Sequence, residues 1–79
     1  MLLDVIRVQV RPAFKLLLTF ENGEQRIFDM AIYMNQKPWH RLKSGNLFQA
    51  AFVENGTVAW LGGRVDIDPE TLYERSVAT

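Results

Sequence analysis

Apolar and polar positions alternate most cleanly over Phe14 to Phe20, where Phe14, Leu16, Leu18 and Phe20 share one side of an extended chain and Lys15 and Thr19 the other. Successive side chains of a strand point to opposite faces, so this stretch predicts a strand with one wholly apolar face. Val5 to Val10 is β-branched and predicts an earlier strand, stopped by Pro12, which has no N–H to give to a ladder. Asn22-Gly23 follows the apolar strand, and both residues tolerate the positive φ of a two-residue hairpin turn. Such a turn pairs Leu18 with Ile27 and Thr19 with Arg26. It also sets Glu21 against Glu24, a mild repulsion at an exposed tip.

The alternation breaks after Phe28-Asp29. Met30 to Met34 predicts one helical turn with Asp29 as its N-cap. Asn35 to Asn46 contains Pro38, Gly45 and several charges and is the least regular part, with Trp39 as its anchor. Leu47-Phe48 predicts another short turn, Gln49 to Val53 a strand, Asn55-Gly56 a second hairpin turn, and Thr57 to Leu61 the returning strand. Gly62-Gly63 turns the chain, after which Val65 and Ile67 alternate with Asp66 and Asp68. Asp68-Pro69-Glu70 then reads as a helix start: Asp caps, Pro brings a helical φ to the first position, and Glu complements the helix dipole. Leu72 and Tyr73 supply the contacts on which so short a helix depends. The expected fold is α+β, a single domain over residues 1–79. It has a small antiparallel sheet of about five strands, formed by two hairpins with Asn-Gly turns, and short helices, the last of them C-terminal.

At 79 residues the chain is near the lower limit for independent folding, and a domain of this size buries only about 60% of its unfolded surface. It has no cysteine, so disulfides and thiolate metal sites are excluded. Apolar burial must hold it together, with a dimer or protein partner as a natural supplement. Nine basic and nine acidic residues give zero formal charge. The basic residues are scattered, which disfavours nonspecific DNA binding driven by phosphate neutralisation. The N-terminus lacks the pattern of a signal peptide and no apolar run approaches the ~20 residues of a membrane span, so a cytoplasmic location is expected. Asn55-Gly56-Thr57 accordingly reads as a turn rather than a glycosylation site.

The sequence is poor in catalytic parts. The single histidine, His40, has no nucleophile and orienting carboxylate nearby in a recognisable pattern. Asp66 and Asp68 point to one side of a strand and resemble the start of a cation site, but Pro69 follows and the remaining ligands of a calcium loop are absent. The simpler reading is a cap at Asp68 and a salt bridge or loop hydrogen bond at Asp66. Gly62-Gly63 lacks the spacing of a phosphate loop. Trp60 and Trp39 could stack on bases, yet a tryptophan on a small sheet more often belongs to the core.

Several of these segments together resemble the small bacterial domain-of-unknown-function family 2442. They are Leu18 to Glu24 with Arg26 and Phe28-Asp29, the Leu47-Phe48 pair, Val58-Ala59-Trp60, and Asp66-Ile67-Asp68-Pro69-Glu70-Thr71-Leu72-Tyr73. The last element is the most specific, and the corner Leu61-Gly62-Gly63-Arg64-Val65 departs slightly from the more usual pattern. The resemblance implies a short bacterial protein, often encoded beside another small protein in a toxin–antitoxin-like arrangement. Some members are fused to a helix-turn-helix domain, for which this chain leaves no room. It transfers no catalytic residue.

The resulting expectation is a non-enzymatic protein-interaction module, antitoxin-like or regulatory, with no catalytic, metal or cofactor site. Its partner would be a small protein or a second copy, bound at a sheet edge or the Trp39 loop. Arg7, Lys15, Trp39 and Arg41 are the candidate contacts. The alternative is a nucleic-acid-binding accessory domain using Lys37, Trp39, Arg41 and Lys43, and a third reading is a small hydrolase or metal-dependent enzyme built on Asp66 and Asp68.

Overall fold

Leu16, Leu18 and Phe20 are 0% exposed in the computed structural model, which describes residues 3–79. The alternation thus fixes the inner face of the second strand, but Phe14 does not belong to it. The strands are β1 (Val5–Arg11), β2 (Lys15–Phe20), β3 (Gln25–Asp29), β4 (Phe52–Glu54), β5 (Thr57–Trp60), β6 (Val65–Ile67) and β7 (Val77–Ala78), with one helix, α1 (Pro69–Arg75), before β7. The β1–β2 hairpin closes through Ala13 at φ 65° and Phe14 at φ 58°, which takes Phe14 out of the strand. Its ring, 38% exposed, meets that of Phe48 edge to face at 5.2 Å.

The β2–β3 register also differs from the expected one by a residue. Gly23 N–H donates to the Phe20 carbonyl and Phe20 N–H to the Glu24 carbonyl, so the loop has three residues and Gly23 takes φ 90°. Leu18 therefore faces Arg26, Leu17 faces Ile27 and Leu16 faces Phe28. Burial explains the choice, because a one-residue slip would move Phe28 off the face occupied by Leu16 and Leu18. The slip also frees Glu21 from Glu24: Glu21 instead accepts from the Asp4 N–H at 2.7 Å.

One five-stranded sheet was expected; the molecule has two antiparallel sheets, ordered β1-β2-β3-β7 and β4-β5-β6. The physical reason lies in residues 30–51. Three 3₁₀ turns, Ala31–Tyr33, Trp39–Lys43 and Phe48–Ala50, carry the chain between the hairpins. The segment contributes Met30, Met34, Leu42 and Phe48 to the core, and no ladder joins the two hairpins. Gln49 belongs to the last of these turns rather than to a strand, and Leu61 leaves β5 at φ 55°. The Val65–Ile67 alternation adds a third strand to the second hairpin.

Asn55 (φ 53°) and Gly56 (φ 77°) form the expected two-residue turn between β4 and β5. This turn is also the joint between the sheets, since the Gly56 carbonyl accepts from Val5 N–H at 2.8 Å. The φ of 77° favours glycine there, and a Cβ would lie 2.5 Å from Asp4 Oδ1, so the exposed Asp4 side chain would have to shift. One core then runs through both sheets and the helix, with Leu18, Phe20, Val58, Trp60 and Leu72 all 0% exposed. Each such side chain contributes about 1.5–3 kcal/mol of transfer free energy. Asp68 caps α1 as expected, its Oδ2 accepting from Thr71 N at 3.1 Å. Asp29 is not the N-cap expected of it: the turn spans Ala31–Tyr33 with Met30 at its cap position, and the Asp29 carboxylate accepts from the Ala31 N–H, two residues on, at 2.9 Å.

Candidate interaction surface

The residues of the first sheet divide by register into two faces. Val8, Val10, Leu16, Leu18 and Phe28 turn inward to the core. Arg7, Gln9 and Arg11 of β1, Lys15, Leu17 and Thr19 of β2, Gln25, Ile27 and Asp29 of β3, and Val77 of β7 turn outward. The pairings Gln9–Leu17, Leu17–Ile27 and Ile27–Val77 place three apolar side chains in one row across adjacent strands. Leu17 and Ile27 are half-buried, Val77 is 70% exposed, and none belongs to the core. Beside them a β-bulge sets Ile6 and Arg7 together opposite Thr19, leaving Ile6 58% exposed.

This face is electrostatically one-sided. Arg11 lies directly across the ladder from Lys15, an arrangement that costs stability in a sheet. Among these outward positions Asp29 has the only carboxylate; it lies across the ladder from Lys15 and accepts from the Ala31 N–H, so the face carries three cations against one anion. Among the described residues the one ion pair is Arg26–Glu24, at 3.1 Å, so Arg7, Arg11 and Lys15 have no carboxylate partner.

The structure places the four candidate contacts in two separate regions. Arg7 and Lys15 share the outer face of the first sheet. Trp39 and Arg41 lie in the Trp39–Lys43 turn, where Arg41 is exposed. The Trp39 indole donates to the Asp66 carbonyl at 3.1 Å, and its ring meets Tyr33 edge to face at 5.6 Å. Trp39 and Tyr33 line a shallow cleft of about 610 Å³ with Asp66, Asp68, Glu74 and Arg75. Asp68 is engaged there as the cap of α1. Trp60 is buried, with its indole N–H on the Phe48 carbonyl at 3.0 Å.

The densest ionisable group lies at neither region, and its spacing in the sequence gave no sign of it. Arg26, on the inward side of β3, donates from Nε to Ser76 Oγ at 2.7 Å and from NH2 to the Ser76 carbonyl at 2.9 Å. Its guanidinium carbon sits 4.4 Å from the centre of the Tyr73 ring. The Tyr73 hydroxyl donates to Glu24 Oε1 at 2.8 Å. Hydrogen bonds from Asn22 and then Tyr73, with help from Arg26, hold the Glu24 carboxyl below its ordinary range. The same bond to Glu24, with burial, pushes the Tyr73 hydroxyl up. The bonds from Arg26 to Ser76 and from Tyr73 to Glu24 fasten the C-terminal end of α1 and the start of β7 onto β3.

Among the described residues no helix is long and apolar enough to cross a membrane, and no group of three or more histidine, aspartate or glutamate side chains could hold a metal ion. The model of a family described as Protein of unknown function (DUF2442) matches residues 5–78, nearly the whole chain. No curated protein and no solved structure gives a match.

Proposed function

The chain belongs to the DUF2442 family, a grouping defined without an activity, and on that premise we propose that it is a non-enzymatic protein-interaction module that docks through the outer face of its four-stranded sheet. The observation that carries this reading is the uncovered Leu17–Ile27–Val77 row beside three basic side chains without carboxylate partners. Apolar side chains in one row across adjacent strands of a small sheet, with charges at their margin, have the anatomy of an interface core and rim. A regulatory or antitoxin-like role fits a protein whose polar clusters are engaged in holding its own fold together.

Nucleic-acid binding through Lys37, Trp39, Arg41 and Lys43 has less support. Stacking needs a free aromatic face, whereas Trp39 is half-buried against Tyr33 and the Lys43 ammonium is engaged by Asn35 Oδ1 at 2.6 Å. The outer sheet face has no aromatic residue among its registered positions.

The test is recovery of tagged protein from its native host, with light scattering of what is recovered. The wild type is expected to retain a stoichiometric small partner, and the Leu17→Asp/Ile27→Asp variant to lose it while remaining folded. Undiminished retention by that folded variant would move the interface away from this face.

A further inference from the structure

We propose that the occupant of the outer sheet face is an acidic amphipathic helix of a partner protein, its apolar stripe on Leu17, Ile27 and Val77 and its carboxylates on Arg7, Arg11 and Lys15. This rests on the reading of that face as the interface, and adds the chemistry and shape of the partner.

The dimensions fit a single helix. The apolar row from Leu17 to Val77 crosses two gaps between neighbouring strands, about 10 Å at ~4.8 Å per gap. A helix with its side chains is about 10–12 Å across, so one helix covers the row. Arg7 and Arg11 stand four residues apart on β1, or roughly 13 Å at ~3.3 Å per residue. Carboxylates two turns apart on a helix are separated by ~11 Å, within reach of two long guanidinium side chains. A helix laid along the strands would therefore set one turn of its apolar stripe across the row and run an acidic flank beside Arg7 and Arg11.

The charge distribution selects this occupant over others. The Arg11–Lys15 apposition is unfavourable in the free chain, and a carboxylate set between them turns it into attraction. A second copy of this chain would bring the same three cations with only one carboxylate, Asp29, so like charge would outnumber opposite charge across the interface. A nucleic acid would satisfy the cations but leave the apolar row against phosphate and sugar. An acidic helix meets both needs.

The test uses the full chain, isotope-labelled for NMR, and two stapled helical peptides of about 18 residues. Both have Leu at i, i+3, i+4 and i+7, one with Glu and the other with Lys on the flanking positions. A single-stranded oligonucleotide serves as third probe. The Glu peptide is expected to shift amides in β1, β2, β3 and β7. Its affinity should fall about tenfold or more both in the Arg7→Gln/Arg11→Gln/Lys15→Gln variant and in about 0.5 M salt. Gln keeps the side chains polar, and amide dispersion verifies that the variant is folded. Equal binding of the Lys peptide on that face, or tighter binding of the oligonucleotide there, would overturn the acidic helix and leave the face standing as a binding surface. So would a concentration-dependent dimer that occupies it. No shift with the Glu peptide at millimolar concentration would also overturn the acidic helix. Shifts confined to the Trp39 cleft would overturn both readings.

Discussion

Leu16, Leu17 and Leu18 are consecutive, chemically identical residues of one strand, and they belong to two different economies of the molecule. Leu16 and Leu18 are 0% exposed and belong to the core, whereas Leu17 turns outward into a row that is outside the core among the described residues. The inner face is held by volume and shape. The outer face is held only by its own ladder and displays apolar area beside unpaired positive charge. The difference separates residues that determine the fold from residues available to a partner, and it does so without any change in residue type.

Truncation on the two faces is the sharpest way to break that comparison. Leu18→Ala should cost about 2–5 kcal/mol through lost transfer energy and a cavity. In a domain of this size that lowers Tm by roughly 4–8 °C per kcal/mol. Leu17→Ala should cost less than about 1 kcal/mol. Thermal unfolding of both variants checks the pair, and equal losses would show that the outer face is packed after all. At the joint between the sheets, Gly56→Ala forces an L-residue to φ 77° and against Asp4. A loss of about 1–2 kcal/mol is expected from the backbone conformation alone, measured by urea unfolding. Asp68→Ala removes the cap of the helix that seals the inner face, with an expected loss of about 1 kcal/mol by the same measurement.

The smallest effects are those of pH on the fastening of α1 and β7. The Glu24 carboxyl is lowered by folding, so its contribution is present above the ordinary carboxylate pKa, near 4.3, and is lost as pH falls through the lowered value. The Tyr73 hydroxyl is raised, so its contribution is present below the ordinary tyrosine pKa, near 10, and is lost as pH rises through the raised value. The protection of amides in residues 76–79, corrected for the intrinsic exchange rate at each pH, should therefore fall at both extremes, and Tyr73→Phe should abolish the alkaline fall. An unchanged alkaline fall in that variant would remove Tyr73 from the account.

What the sequence made legible were the local signals with a complete mechanism. Asn55-Gly56 and Asp68-Pro69 fold as their residue types dictate, because turn and cap chemistry involve only neighbours. The alternation in β2 placed Leu16, Leu18 and Phe20 correctly. The register of β2 on β3 was not legible from Asn22-Gly23, since a three-residue loop uses the same two letters and burial of Phe28 decides between them. The split into two sheets depends on residues 30–51, whose 3₁₀ turns lack a periodic apolar pattern. For the candidate contacts, Arg7 and Lys15 could be named as exposed strand residues. Their company on one face with Leu17, Ile27 and Val77 depends on the pairing of four strands, which no local pattern encodes.

The most direct test of the outer face as the binding surface is paramagnetic relaxation of methyl groups by a soluble probe, before and after addition of the partner recovered from the host. The methyls of Leu17, Ile27 and Val77 should relax strongly in the free protein and become protected in the complex, while those of Leu16 and Leu18 stay protected throughout. Outer methyls that remain equally accessible in the saturated complex would contradict the account.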